Sequence, residues 1–172
     1  MTPPVADPSL PVRVFVYGTL KRGGHYHNSY CADALRIRPA LVQGRVVDRP
    51  EGYPTLFVPP SLMLLRGTTN YPADGALCHT AALSAGCTLQ SYLTPSRPWS
   101  LVRGELVDFP AHGTALGPLD ALEEYVPDGP CLYHRVLCPL LAEGVLTLGW
   151  VYCSPFSHRF FAVYGSKVPT AA

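Results

Sequence analysis

Nineteen prolines and fifteen glycines are spread through the 172 residues of this chain, and they set the scale of any element it can form. Proline removes a backbone donor and clashes inside a helix, while glycine costs conformational entropy in helix and strand alike. What remains is short strands joined by turns. Runs rich in β-branched, aromatic and aliphatic residues fall at 12–17, 41–48, 101–109, 133–141 and 145–152. Leu101 to Phe109 alternates apolar and polar side chains as a half-buried strand does. The runs on either side of Ala142-Glu143-Gly144 read as a hairpin with a three-residue loop around Gly144. Two short helices are expected, His27 to Leu35 and Leu116 to Tyr125; in the second, Ala115, Leu116, Leu119 and Leu122 share a face. The expected fold is α+β, a small mixed or antiparallel β-barrel with short flanking helices.

Apolar residues make up 48% of the chain and charged ones 15%, enough for one buried core without staples. A single domain is expected over 12–165, between a flexible N-terminal segment, 1–11, and a C-terminal tail, 166–172. Thirteen Lys and Arg against twelve Asp and Glu argue against a nucleic-acid or anionic-membrane partner. Met1 to Leu10 holds three prolines and no apolar block, so no signal peptide is read there, and no apolar run approaches a membrane span. A cytoplasmic protein with six free thiols is the expectation, because the cysteines are scattered and form no C-x-x-C pair. From Pro59 to Trp99 periodicity fades. That stretch reads as a surface excursion, a disordered insert, or a segment whose Leu62, Leu64 and Leu65 cap an open barrel edge.

Three clusters could carry chemistry. The first is the turn after the first strand, Tyr17-Gly18-Thr19-Leu20-Lys21-Arg22-Gly23-Gly24. Glycines there let several N–H groups converge beside two cations, which suits an anionic or carbonyl oxygen; an ordinary strand-to-loop corner has the same pattern. The second is Leu119-Asp120-Ala121-Leu122-Glu123-Glu124-Tyr125. Its three carboxylates read as a solvated helix face, or as one carboxyl against Leu119 and Leu122 with a pKa raised for proton transfer. The third is His25-x-His27, with His79, His112, His134 and His158 elsewhere. No acidic or cysteine partner stands at ligand spacing, so no metal is expected. There is no G-x-S-x-G elbow and no phosphate-binding loop, and nothing marks Cys131 or Cys153 as an activated nucleophile.

Six segments in order resemble the gamma-glutamylcyclotransferase-like (AIG2-like) family, in particular its gamma-glutamylamine cyclotransferase branch. They are Phe15 to Gly23, Gly52-Tyr53-Pro54, Val102-Arg103-Gly104-Glu105-Leu106, Leu119-Asp120-Ala121-Leu122-Glu123, Tyr133-His134-Arg135-Val136 and Val151-Tyr152. The resemblance implies a small barrel and a cyclising acyl transfer, in which the α-amine of a small γ-glutamyl substrate attacks its own γ-carbonyl, giving 5-oxoproline and a free amine. It implies Glu123 as the acid/base and Tyr17, Gly18, Thr19, Leu20, Tyr53 and Tyr152 around the substrate. It implies no metal and no cofactor. Two departures stand out. Glu124 occupies a position where many relatives have a glycine or small residue, and the interval from Pro54 to Val102 is much longer than the family's short connection. The longer interval reads as a lid, a disordered loop, or a segment at odds with the barrel. A non-catalytic module sensing a small amino-acid-like ligand is the alternative to an enzyme; a cysteine-dependent hydrolase is disfavoured.

Overall fold

The structure, a computed structural model, describes residues 9–52, 54–80, 86–111, 114–131 and 133–154. Most of the expected N-terminal segment, all of the C-terminal tail, His112 and His158 lie outside the described residues. Seven strands are described: β1 Val12–Val16, β2 Arg36–Asp48, β3 Pro54–Phe57, β4 Leu65–Arg66, β5 Ser100–Phe109, β6 His134–Ala142 and β7 Val145–Cys153. Four short helices accompany them: α1 His27–Tyr30, α2 Tyr71–Leu77, α3 Leu89–Leu93 and α4 Leu116–Leu122.

The strands follow the order β3-β2-β5-β1-β7-β6-β4, and a further β2–β6 pairing closes β2, β5, β1, β7 and β6 into a five-stranded barrel. β1 runs antiparallel to β5 and parallel to β7, so the sheet is mixed, one of the two forms expected. Side chains alternate across β1: Phe15 joins one buried cluster while Val14 and Val16 join another. The first cluster draws Val42, Leu106, Val136 and Val151 from the other barrel strands. In the second, Leu116 and Leu119 of α4 pack with Trp150 of β7.

Several boundaries differ from expectation for identifiable reasons. β2 begins at Arg36, ahead of the expected run, because Arg36 to Ala40 pair with Asp108 to Gly104 of β5; Pro39 sits one residue before the pairing with β6 starts at Ala40, so its missing N–H removes no ladder bond on that side. The β6–β7 loop has two residues, not three: Ala142 pairs with Val145, and Glu143 and Gly144 both take positive φ (52° and 75°). That left-handed pair matches the strand twist. α1 stops at Tyr30, and Leu35 docks its N–H on Asp108 O at 2.7 Å.

The long segment between β3 and β5 is built into the fold over its described residues. Leu64 N–H donates to Leu137 O at 2.9 Å and β4 pairs with β6, so this stretch covers the β6 edge. The Asn70 side chain accepts from Ala73 N–H at the head of α2, and Thr88 and Ser91 form a reciprocal cap on α3. Tyr92 of α3 is fully buried, its hydroxyl donating to Pro139 O at 2.7 Å. All six cysteines are free. No helix among the described residues is long and apolar enough to cross a membrane.

Candidate active site

The turn after β1 is a 3-10 helix, Gly18–Leu20, entered through Gly18 at φ 70°. Its carbonyls are all engaged downstream. Lys21 N–H donates to Gly18 O at 3.3 Å, Tyr26 N–H to Thr19 O at 3.0 Å, and His27 Nδ1–H to Leu20 O at 2.9 Å. The N–H groups of Gly18, Thr19 and Leu20 head the turn and have no partner within it, as at any helix start. A Cβ on Gly24 would collide with Thr19 O, so glycine is needed where the loop folds back. Glu105 of β5 pins the loop from below: Arg22 N–H and Nε–H donate to its two oxygens at 2.9 and 3.0 Å. Burial acts to raise the Glu105 pKa, but the Arg22 N–H groups and charge outweigh it and hold the carboxyl below its usual value.

Glu123 caps the C-terminus of α4, its N–H donating to Leu119 O at 3.0 Å. Four residues from Leu119 and three from Asp120, it falls on the face that α4 buries. Desolvation there raises its carboxyl pKa from 4.5 to about 7. Glu124 is exposed and takes φ 53°, a left-handed conformation that directs the chain away from the helix. A glycine would hold that backbone geometry without strain.

A cavity of about 380 Å³ is lined by Tyr17, Gly18, Thr19, Leu20, Glu123 and Tyr152, with Tyr26, Pro54 and Tyr133 also on its wall. Six of the seven site residues expected from sequence therefore share one pocket; Tyr53 lies outside the described residues, next to Pro54. The Tyr17 hydroxyl donates to Tyr152 O at 3.0 Å and accepts from Leu56 N–H at 3.3 Å. Burial first, then the Glu123 charge, raises the Tyr17 pKa well above its ordinary value. For Tyr152 the causes are burial, then Asp120, with Glu123 contributing, so both hydroxyls stand within electrostatic reach of that carboxyl.

Beneath the pocket lies a buried polar cluster that sequence reasoning missed. Arg135 of β6 is fully buried; its Nε and NH2 donate to the two oxygens of Asp120 at 2.8 and 3.2 Å. Its NH1 donates to Asp74 Oδ2 at 2.9 Å and its NH2 to Thr68 O at 2.8 Å. The guanidinium lies 4.7 Å from the Trp150 ring centroid, and Trp150 Nε1–H donates to Asp74 O at 3.0 Å. Tyr152 completes the chain, its hydroxyl donating to Asp120 Oδ1 at 2.6 Å. Arginine following Tyr133-His134 at the head of a strand, and aspartate three residues before Glu123, were visible as letters. Their pairing with Asp74, 61 positions from Arg135, had no local signal.

Residues 14–84 match the family model described as Gamma-glutamyl cyclotransferase, AIG2-like. A relative, the gamma-L-glutamyl-butirosin B gamma-glutamyl cyclotransferase of Niallia circulans, is 26% identical over 153 residues, covering 88% of this chain and 72% of that one. Among solved structures, a protein from Arabidopsis thaliana determined in solution matches with TM-score 0.50 and 16% identity, over 92% of this chain and 83% of its own. YkqA from Bacillus subtilis matches with TM-score 0.49 and 14% identity; the match covers 86% of this chain and only 37% of YkqA. The family match takes in β1, the turn and its loop, β2 and β3, and stops before Glu123. The family model and the relative both carry the description of a gamma-glutamyl cyclotransferase. Over residues 14–84 the chain is thus similar to the gamma-glutamyl cyclotransferase, AIG2-like family.

Proposed function

We propose that the chain converts γ-glutamyl amines or amino acids into 5-oxoproline and a free amine, with Glu123 as general acid/base. The observation that carries this reading is a desolvated carboxyl, raised to about 7, in one small cavity with the uncommitted amides of a 3-10 turn. An α-ammonium has no lone pair, so a base must first take a proton from it. The freed amine then attacks the γ-carbonyl. A C–N bond forms, the developing oxyanion is met by N–H groups of Gly18, Thr19 and Leu20, and the old amide C–N bond breaks as the proton passes to the departing amine. Attack is intramolecular, so holding the glutamyl unit folded supplies up to roughly 7–11 kcal/mol of the barrier reduction. The Niallia circulans relative, named for a γ-glutamyl substrate, supports the substrate class.

Glu123→Gln keeps the shape and removes the proton shuttle. Release of 5-oxoproline from a panel of γ-glutamyl amides should fall by about 100- to 10,000-fold. Undiminished release would overturn the mechanism, and wild-type protein that binds these compounds without turnover would be a sensor of the same fold.

A further inference from the structure

We propose that Asp74 is a positioning residue of this site: through Arg135 and Asp120 it orients the Tyr152 hydroxyl so that its oxygen accepts from the α-ammonium of the substrate. The proposal rests on the γ-glutamyl reading above and adds a role for the long segment between β3 and β5, which that reading does not use.

A carboxylate can only accept hydrogen bonds. Asp120 Oδ1 receives both Arg135 Nε–H at 2.8 Å and Tyr152 O–H at 2.6 Å, so the tyrosine proton is committed to the protein. What the Tyr152 oxygen has left is acceptor capacity, on a residue that lines the pocket with Glu123. An ammonium, with three donors and no acceptor, is the complementary group.

That polarity depends on Asp120 staying put, and Asp120 is held by a guanidinium that needs a second anchor. Asp74 supplies it, accepting from Arg135 NH1 at 2.9 Å on the side away from Asp120. Asp74 is itself immobilised, with Thr68 N–H and Oγ1–H donating to its two oxygens at 2.7 and 2.9 Å. A Cβ on Gly67 would lie 2.7 Å from the Arg135 nitrogens, so the glycine before Thr68 lets the segment close over the guanidinium. Two carboxylates face one guanidinium, which also leaves the cluster beside the pocket hospitable to a cation.

The test measures discrimination for the ammonium by calorimetry in the Glu123→Gln background, where turnover is suspended. The probes are γ-glutamyl-butylamide and its Nα-acetyl derivative, which lacks the charge. The parent should prefer the free amine; Asp74→Asn and Tyr152→Phe should each shrink that preference roughly tenfold, the loss expected for one charge-assisted hydrogen bond. Combining them should shrink it no further, since both act on one contact. A purely structural Asp74 would lower the melting temperature and leave the preference intact, which overturns the proposal, as does an additive double variant. If Asp74→Asn does not fold, Thr68→Val loosens the same carboxylate without deleting its charge; an unchanged preference there overturns the proposal equally. Failure of the parent to bind either probe overturns the γ-glutamyl reading along with it, whereas intact binding indifferent to all three variants removes only the role of Asp74.

Discussion

Glu123 links the site to stability through its raised pKa. The folded carboxyl titrates near 7 against 4.5 for the free group, so the folded state prefers the protonated form. Its contribution is therefore fully favourable below the unfolded pKa and is lost as pH rises through the folded one. Glu123→Gln should stabilise the protein at pH 8 by on the order of 1–3 kcal/mol, with the gap closing toward pH 4 in parallel urea titrations. The rate should carry the same signature: a kcat/KM profile with its acidic limb near 7 rather than near 4, because the base is lost on protonation. One residue on, Glu124 holds φ 53° without a glycine's freedom. Glu124→Gly should raise stability by up to about 1 kcal/mol, visible as a higher denaturation midpoint with unchanged slope.

Among the elements, the strands with strong β-branched or alternating patterns were legible and the elements held by distant partners were not. β5 announces itself through Leu101 to Phe109, and β6 and β7 through their continuous apolar runs. β4 is two residues long and exists because Leu65 and Arg66 meet Leu137 and Val136 across the barrel edge. No window of sequence contains that information. The turn and the carboxylates around Glu123 stood out by residue type, Tyr152 only by its place in the order of segments, and Asp74 not at all, since a carboxylate in a Pro- and Gly-rich stretch carries no mark of burial. Local glycines are easier to account for afterwards. A Cβ on Gly104 of β5 would fall 2.5 Å from Val16 O and into the Phe15 ring. Gly104→Ala should destabilise by about 1–3 kcal/mol, or more where the backbone must move, as a depressed midpoint in thermal or urea unfolding would register.

For the molecule as a whole, Arg135 is the point where the long segment, α4 and the barrel are tied together. Removing one partner of a buried ion pair costs more than the pair contributes, because the remaining charges lose their compensation. Arg135→Met strands Asp74 and Asp120 at once and should cost about 3–5 kcal/mol in urea unfolding, with the long segment becoming the first region to exchange its amide protons. The position of β1 has a different reach. It stands at the middle of the barrel, yet its neighbours are β5, about ninety positions later, and β7, about 135 positions later. The turn that presents the amides hangs from the end of this strand, and the Tyr17 hydroxyl finds its acceptor only on Tyr152. A ribosome making this chain thus releases the amide-bearing turn about 135 positions before the end of β7 and cannot complete the pocket until that strand has emerged, so the turn waits without its site while everything between is made.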